Sequence, residues 1–319
     1  MYAAVVNAFD APPRYEQIDL PIPQHEHEVV VEVLAVGLHP RVRSQADGSH
    51  YTSTDELPLV PGIDGVGRMP DGRLVYFILP DTTFGAMAER TVIDIRRSVI
   101  LPDDLDPVLV AAAMNPAMSS WVGLRYRIDF QPGQSVLVLG ATGNAGQLAI
   151  QVARHFGAAR VVGAGRDQAV LDTLPALGVD ATVSLTGDTQ DIGHRLGEAA
   201  AEVDVVIDYL WGKPAEDAVM PLLVARSDRG RPLTWLQIGS IAGPTMALPS
   251  VALRSANFRV MGSGQGSVRT ADILAALPEI ANEVSRGTFA VNPVAIPLAE
   301  IHHAWTAPTA PGQRIVIVP

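Results

Sequence analysis

The stretch Ser135-Val-Leu-Val-Leu-Gly140-Ala-Thr-Gly143-Asn-Ala-Gly146 decides the fold of this chain. An apolar run ends at a glycine, and two further glycines precede an amphipathic segment that predicts a helix over residues 144–156. In such a turn the first glycine allows the tight bend, the second lets the backbone approach a pyrophosphate, and the third lets the helix pack closely on the strand. The helix N-terminus then turns free N–H groups toward the anion. The pattern predicts a dinucleotide-binding turn, whose contact residues are Thr142, Gly143, Asn144, Ala145 and Gly146.

The surrounding sequence bears on whether this turn binds a ligand or only packs. The spacing is G-x-x-G-x-x-G, with Ala141 where the usual fingerprint has its first glycine, and such a triad alone is weak evidence. Around it, continuous apolar strands alternate with helical segments. The strands are predicted at residues 135–139, 160–164, 181–183, 203–208, 233–238 and 258–261. This alternation indicates a doubly wound parallel sheet, so the fold class is α/β with a Rossmann domain. A turn kept only for packing remains the alternative.

The rest of the chain has a different pattern. The first hundred residues contain predicted strands joined by loops, such as residues 27–38 and 73–79, which indicates antiparallel pairing in a barrel-like domain. At the other end, a helix over 270–283 precedes short strands at 289–291 and 314–318. This tail is too short to fold alone, so we expect it to complete the N-terminal domain. The predicted domains are residues 1–113 with 262–319, β-rich, and 114–261, the Rossmann domain.

Composition excludes several classes of function. The 319 residues include no cysteine, which removes disulfides, thiol catalysis, iron–sulfur clusters and Cys-ligated zinc. The net charge of −11 disfavours broad binding to nucleic acid. Lys213, the only lysine, follows no phosphate-loop glycines, so a Walker loop and a Schiff-base enzyme are both disfavoured. There is no basic leader, and no apolar run approaches the roughly 18 residues that span a bilayer. We expect a soluble cytoplasmic protein with no membrane partner.

The end of the second Rossmann strand indicates which nicotinamide cofactor binds. An NAD site presents Asp or Glu there to the ribose 2′-hydroxyl, whereas this chain has Gly165 and Arg166. Without the carboxylate, the guanidinium can attract a 2′-phosphate. NADPH is therefore favoured over NADH. Asp167 leaves the alternative open, because its carboxylate could instead hold a ribose.

Further segments carry a resemblance that covers nearly the whole chain. They are A-V-G-L-H-P-R-V-R (35–43), L-P-L-V-P-G-I-D-G-V-G (57–67), the helix around Ser119-Ser120-Trp121, W-L-Q-I-G-S-I-A-G (235–243), M-G-S-G-Q-G-S (261–267) and the terminal G-Q-R-I-V-I-V-P. Together with the glycine turn, they resemble the medium-chain dehydrogenase/reductase superfamily, specifically its zinc-free quinone oxidoreductase branch, to which the ζ-crystallins belong. The resemblance implies a GroES-like N-terminal domain that presents the substrate and is completed by the C-terminal segment.

The same resemblance allows the zinc positions to be compared. Zinc-dependent relatives have a ligating cysteine where His39 stands, and His-Glu where Ile63 and Asp64 stand. Isoleucine cannot ligate, and His39 with Asp64 would fall short of the three protein ligands that catalytic zinc normally needs. We expect no catalytic metal.

The resemblance also implies contacts to the nicotinamide half of the cofactor. It places Ser119 near the ribose and Arg314 near the cofactor, although a helix-surface hydroxyl and an edge-strand charge remain the alternatives for these two. Residues implied to border the nicotinamide are Ile238, Gly239, Ser240, Ser263 and Gln265.

Two residues are candidates for catalysis. Hydride transfer to a conjugated acceptor needs alignment, exclusion of water and some polarisation of the acceptor oxygen. The resemblance implies that Tyr51, in G-S-H-Y-T, and His39, where quinone oxidoreductases commonly have Asn, could donate to that oxygen or deliver a proton. His39 could instead shape its loop through backbone hydrogen bonds. Tyr209 and Trp211 could line the pocket or pack in the core.

The sequence therefore predicts an NADPH-dependent reductase of quinones or α,β-unsaturated carbonyls. Two alternatives remain open: a reductase of simple ketones or aldehydes, and an NADPH-binding protein with little turnover. The resemblance also implies a homodimer, paired through the strand at residues 258–261.

Overall fold

The computed structural model describes all 319 residues and divides into two compact units. Unit 1 comprises Met1–Asn115 and Leu277–Pro319, and unit 2 comprises Pro116–Ala276. The predicted domain boundaries, after residues 113 and 261, lie two and fifteen residues earlier than these divisions at 115 and 276.

Unit 1 is built on antiparallel strands, as the loop-joined apolar segments predict. Its helices are α1 (Pro40–Ala46) and α9 (Ile301–Thr306). Its strands are β1 (Tyr2–Val5), β2 (Arg14–Gln17), β3 (Glu28–Leu38), β4 (Asp64–Arg68), β5 (Leu74–Ile78), β6 (Arg90–Asp94), β7 (Ser98–Ile100), β14 (Asn292–Pro297) and β15 (Gln313–Val318). The main sheet has the order β14-β15-β3-β4-β5-β7, with β6 also on β3, and β1 pairs with β2 separately. The C-terminal strands thus complete the N-terminal sheet.

One predicted strand of this sheet is misplaced. Residues 289–291 do not form a strand, and β14 lies instead at Asn292–Pro297. It contains prolines at 293 and 297, which argue against a central strand, but β14 is an edge strand that pairs only with β15. That pairing is parallel, an exception to the predicted antiparallel pattern.

Unit 2 has the predicted doubly wound parallel sheet. Its strands are β8 (Ser135–Leu139), β9 (Arg160–Gly165), β10 (Ala181–Ser184), β11 (Val205–Asp208), β12 (Leu233–Gln237) and β13 (Phe258–Gly262). The helices are α3 (Asn144–His155), α4 (Gln168–Leu171), α5 (Thr189–Ala200), α6 (Gly212–Ala225) and α7 (Ser250–Ser255), while α2 (Pro107–Val122) and α8 (Thr270–Ser285) cross the unit boundaries. The strand order is β10-β9-β8-β11-β12-β13. The chain therefore adds strands outward from β8 on one side and outward from β11 on the other, so the winding reverses between these two strands. In open α/β sheets, ligands bind beyond the carboxyl ends of the strands at such a switch point.

Helix α2 corrects the expectation that no apolar segment of the chain is long enough to span a bilayer. With its π-helical continuation it runs from Pro107 to Arg127, 21 residues, and is long and apolar enough to cross a membrane by length and composition. About two thirds of its most apolar window (67 %) is buried inside the protein. That degree of burial is typical of a core helix, so the span is weak evidence for a membrane.

Candidate functional site

The glycine turn follows β8 at the carboxyl edge of the sheet in unit 2. Gly140 has a φ of +90°, in the left-handed region that favours glycine. A Cβ on Gly146 would lie 2.2 Å from the Gly140 carbonyl oxygen, so helix α3 can approach β8 this closely only with glycine at 146. Gly143, in contrast, has room, since a Cβ there would lie 3.5 Å from the same oxygen. The first and third glycines therefore have the steric roles that the sequence predicts.

Helix α3 begins directly after this turn, and no side chain caps its N-terminus. The first N–H groups of a helix have no partner within the helix. The first turn of α3 is formed by Asn144, Ala145 and Gly146, and the helix is 12 residues long. This arrangement suits an anion held by backbone N–H groups.

The end of β9 lies beside the glycine turn. A Cβ on Gly165 would come within 2.5 Å of Thr142 Cγ2, so a side chain at 165 would displace Thr142. Arg166 follows and is exposed. Asp167 caps α4, with its Oδ1 accepting a hydrogen bond from Val170 N at 3.1 Å. The Asp167 carboxylate, which the sequence analysis considered as a ribose ligand, therefore already caps α4.

A buried carboxylate that the sequence analysis did not single out ends β11, the strand on the other side of β8. Asp208 closes β11 and is fully buried. Its Oδ1 accepts from Leu210 N at 2.8 Å and from Trp211 N at 2.9 Å, and its Oδ2 accepts from Trp235 Nε1 at 2.9 Å. Burial raises the pKa of Asp208 although these three hydrogen bonds act to lower it. The only sequence signal is an acid at the end of an apolar strand, V-V-I-D.

Trp211 has a strained backbone. Its φ of +51° and ψ of −158° lie near a region that is essentially restricted to glycine, where another residue costs about 1–3 kcal/mol. Its side chain packs against the hydrophobic core of unit 2, which favours the core-packing alternative over pocket lining. Strain of this kind persists only where the surroundings enforce it, and here the Asp208 carboxylate holds the Trp211 N–H.

The loop after β12 is joined to the loop after β11. Both Ile238 N and Gly239 N donate to the Asp208 carbonyl, at 2.8 and 3.1 Å. A Cβ on Gly239 would lie 2.8 Å from the Tyr209 carbonyl oxygen. The N–H groups of Ile238 and Gly239 are therefore engaged within the fold, whereas Ser240 is exposed.

Two further predicted positions adjoin this edge. Ser263 follows β13, and its N–H donates to Gln237 O at 2.8 Å. A Cβ on Gly123, in the π-helical continuation of α2, would lie 3.3 Å from Ser263 Oγ. Gln265 lies in the next turn, where it forms a β-bridge with Val268. Single π-helical turns are frequent at functional sites.

Ser119 is linked to the same edge through Tyr209. Its Oγ donates to the Pro116 carbonyl at 2.7 Å, which leaves it to accept from the Tyr209 hydroxyl at 2.9 Å. Burial raises the pKa of Tyr209 to about 12, so its phenol stays protonated at neutral pH. Ser119 is thus a hydrogen-bonded residue of unit 2 rather than a free surface hydroxyl.

The remaining predicted residues belong to unit 1, where two of them meet in a buried polar cluster. His39 Nε2 lies 3.1 Å from Asp64 Oδ1, and Tyr76 donates to Asp64 Oδ2 at 2.8 Å. Arg314 donates to the Leu38 carbonyl at 3.2 Å. Each of the four side chains is less than a tenth exposed. The sequence analysis missed Tyr76 because nothing in the apolar strand L-V-Y-F-I marks its hydroxyl.

Burial dominates the electrostatics of this cluster. It lowers the pKa of His39, although the hydrogen bond to Asp64 acts to raise it, so the imidazole is neutral at pH 7. It also lowers the pKa of Arg314 to about 10, against the attraction of the Asp64 carboxylate. A neutral, hydrogen-bonded imidazole is a poor proton donor, and the His39 ring contacts the Asp64 side chain rather than the backbone that the loop-shaping alternative invokes.

The donor set of this cluster does not fit catalytic zinc. Asp64 uses both oxygens for hydrogen bonds to His39 and Tyr76, the adjacent Ile63 cannot ligate, and the Arg314 guanidinium already supplies a buried positive charge. The chain contains no group of three or more His, Cys, Asp or Glu side chains that could hold a metal ion.

Tyr51 lies outside this cluster. It follows α1 in an exposed turn, with 71 % of its surface accessible. Its ring stacks on His50 with a centroid distance of 4.3 Å. His50 Nδ1 in turn accepts from Thr52 N at 3.2 Å, which ties the ring beneath Tyr51 to the turn.

Comparisons with known proteins place this geometry in a family, although no family model matches the chain. The chain is 30 % identical, over the full length of both proteins, to the "Probable NADPH-dependent quinone reductase tdiC" of Emericella nidulans. It is 27 % identical to the chloroplastic "NADPH-dependent alkenal/one oxidoreductase" of Arabidopsis thaliana over 58 % of this chain and 50 % of that protein. Among solved structures, the quinone oxidoreductase of Thermus thermophilus, also solved with NADPH, has a TM-score of 0.81 at 26 % identity over all of both chains.

The chain belongs to the zinc-free quinone oxidoreductase branch of the medium-chain dehydrogenase/reductase superfamily. The structural likeness extends over both units. The family and the fold class that the sequence predicts are therefore confirmed.

The steric role of Gly146 can be tested by substitution. Helix propensity alone would make Gly146→Ala stabilising by about 1 kcal/mol. Because the new Cβ would lie 2.2 Å from a carbonyl oxygen, we expect instead a loss of about 1–3 kcal/mol or more in the free energy of unfolding, measured by urea denaturation. Gly143→Ala is the matched control and should cost less, at most about 1 kcal/mol, because glycine is preferred over alanine at a helix N-cap. Equal stability of the two variants would contradict this account.

The neutral state of buried His39 predicts a pH dependence of stability. The unfolded chain takes up a proton near the ordinary pKa of 6.5, whereas the folded protein resists it because the pKa of His39 is lowered. Stability is thus present above this value and is lost as the pH falls below it. We expect Tm to fall between about pH 7.5 and pH 5.5, and to fall less in His39→Gln. His50, whose pKa burial also lowers, should retain part of the slope in that variant. An unchanged slope in His39→Gln would show that His39 does not cause it.

Proposed function

We propose that this protein is an NADPH-dependent oxidoreductase that transfers a hydride to a quinone or an α,β-unsaturated carbonyl compound. The observation that carries the proposal is the uncapped, glycine-lined start of α3 at the switch point of the sheet, in a chain related over its full length to a protein named as an NADPH-dependent quinone reductase. An enzyme, rather than a binding protein with little turnover, is what such relatives support.

Residues of unit 2 would hold the cofactor. The backbone of Thr142, Gly143 and the first turn of α3 would bind the pyrophosphate, and Gly165 with Arg166 would receive the adenosine ribose and its 2′-phosphate. Around the nicotinamide half we propose Ser119, Ile238, Gly239, Ser240, Ser263 and Gln265. A cofactor contact of Arg314, which is buried in unit 1, stays a prediction from the resemblance. Because the Ile238 and Gly239 N–H groups are engaged, Ile238 would act through its carbonyl and side chain, and Gly239 through its carbonyl. When bound, the cofactor supplies the hydride.

The chemistry of the acceptor explains how the reaction can proceed without a metal ion. Quinones and enones are already electrophilic, and the hydride brings two electrons, so one further proton completes the reduction to a hydroquinone or a saturated carbonyl compound. We propose that the Tyr51 hydroxyl donates to the acceptor oxygen. His39, neutral and bonded to Asp64, would position its loop.

We further propose that the protein works as a cytoplasmic homodimer. Strand β13 pairs only with β12, so its outer edge is open. Leu253 and Val251 on the adjacent α7 are about half exposed. Pairing of β13 with its symmetry mate would close the edge.

The 2′-phosphate contact of Arg166 predicts a change in cofactor preference. Arg166→Gln should raise KM for NADPH by roughly 10-fold or more, because a charge-assisted bond to phosphate is lost, and should leave KM for NADH nearly unchanged. Arg160→Gln is the control, since Arg160 is exposed at the opposite end of β9. Parallel losses with both cofactors would contradict a 2′-phosphate role.

Acceptor profiling tests the reaction itself. Steady-state NADPH oxidation should proceed with quinones and enones, and much more slowly with simple ketones and aldehydes, which need stronger polarisation of the carbonyl. Turnover should survive treatment with a chelator. Preference for simple ketones would support the ketone reductase, and tight NADPH binding without turnover would support the binding protein. Loss of activity on chelation would contradict a metal-free reaction.

The same assay tests the proposed proton donor. Tyr51→Phe should lower kcat by roughly 10²-fold with enones, the lower end for general acid catalysis, and His39→Ala should act mainly through stability. Unchanged turnover in both variants and in their combination would make both residues structural.

A further inference from the structure

Asp208 lies at the junction between the two halves of the Rossmann sheet. It ends β11 and stands opposite Leu139 of β8, immediately before the glycine turn. The N–H of Tyr209 donates to Leu139 O at 3.2 Å, so the chain after Asp208 continues alongside that turn. The Asp208 carboxylate itself is fully buried and accepts hydrogen bonds from its own loop and from Trp235 of β12.

The loop after Asp208 packs against Gly140, the first glycine of the turn. A Cβ on Gly140 would lie 3.3 Å from Tyr209 Cβ and 3.1 Å from Leu210 Cδ2. These distances mean that Tyr209 and Leu210 already pack closely on the Gly140 backbone. A shift of either residue would therefore change the support of the glycine turn, where the cofactor phosphates are expected.

This loop holds the backbone of Trp211 at a positive φ, which a tryptophan does not favour. The next residue, Gly212, has a φ of +56°, and a Cβ there would lie 2.7 Å from Ala242 O, so the loop has little room to relax. The hydrogen bonds from Leu210 N and Trp211 N to Asp208 Oδ1 oppose relaxation directly. Asp208 also joins the β12 loop, through its carbonyl.

We propose that Asp208 is a positioning residue for cofactor binding: its carboxylate holds the strained turn at Trp211 and thereby fixes Tyr209 and Leu210 against the glycine turn. Asp208 does not touch the cofactor in this account. It acts through the backbone of the turn, which gives its substitution a distinctive signature. The inference rests on the proposed NADPH binding.

A double-mutant cycle tests this role, with the Kd for NADPH measured by isothermal titration calorimetry. Asp208→Asn keeps the size of the side chain but leaves one acceptor oxygen for three N–H donors, so the bonds to Leu210, Trp211 and Trp235 cannot all form, and we expect a Kd about 10-fold higher or more. Trp211→Gly should bind NADPH within about threefold of the wild type, because glycine adopts a positive φ without support. In the Trp211→Gly background, Asp208→Asn should then change Kd less than about twofold.

Asp204→Asn is the matched control. Asp204 precedes the same strand, and its Oδ2 accepts from Ser135 N and Ser135 Oγ, both at 2.8 Å. It lies at the amino end of the sheet, so its substitution should leave the Kd for NADPH unchanged even where Tm falls. A Kd increase as large as that of Asp208→Asn would overturn the proposal, because the effect would then follow from stability alone.

The remaining outcomes also decide the question. An unchanged Kd in Asp208→Asn, or an equal effect of that substitution in both backgrounds, would refute the role of Asp208 while leaving NADPH binding intact. Failure of the wild type to bind NADPH would refute the proposed function instead. Since burial raises the pKa of Asp208, the neutral Asn has no charge to bury and should fold. Trp211→Gly also removes a side chain from the core of unit 2, so the readout in that background is the Kd for NADPH, measured where each variant is folded, and not Tm.

Discussion

The contact between two backbones, where α3 begins over the end of β8, is the constraint on which the candidate site depends. With 2.2 Å between the Gly140 carbonyl oxygen and the place where a Gly146 Cβ would stand, no side chain fits between them. This contact sets the position of the helix N-terminus and hence the direction in which its first N–H groups point. It also fixes the position of Thr142, whose side chain occupies the space that a side chain at Gly165 would need. The turn and the neighbouring strand end are thus packed as one surface.

A buried carboxylate organises polar groups in each unit, but the two do so differently. Asp208 accepts two backbone N–H groups, so it determines the path of the main chain beside the glycine turn. Asp64 is bonded to the side chains of His39 and Tyr76, so it determines their orientation. Burial of a carboxylate is tolerated only where donors satisfy it, and both residues meet that condition. Hydrogen bonds to His39 and Tyr76 occupy both oxygens of Asp64, and the Arg314 guanidinium supplies a positive charge near it.

The parts of the fold that were predictable are those with an unbroken local pattern. The six strands of unit 2 are continuous apolar runs between helices, and all six occur in the predicted order along the chain. Strand β4 was not predicted, because D-G-V-G-R is typical of a loop. Its glycines are needed for close pairing, since a Cβ on Gly67 would lie 2.9 Å from Glu32 O of the neighbouring β3. Strand β14 was likewise not predicted, because its two prolines argue against a strand unless it lies at the edge of a sheet.

The sequence by itself determined the fold class and the position of the glycine turn, because periodicity and glycine spacing are properties of neighbouring residues, and the resemblance of its motifs indicated the family. Tertiary structure decided which polar side chains meet. His39 and Asp64 are 25 residues apart, Asp208 and Trp235 are 27 apart, and Arg314 is 276 residues from Leu38. Each of these contacts exists only after strands have paired in register, and a hydrogen bond needs its atoms within a few tenths of an ångström. Local patterns carry no such information, so the strain at Trp211 and the support that Asp208 gives it become visible only in the folded chain.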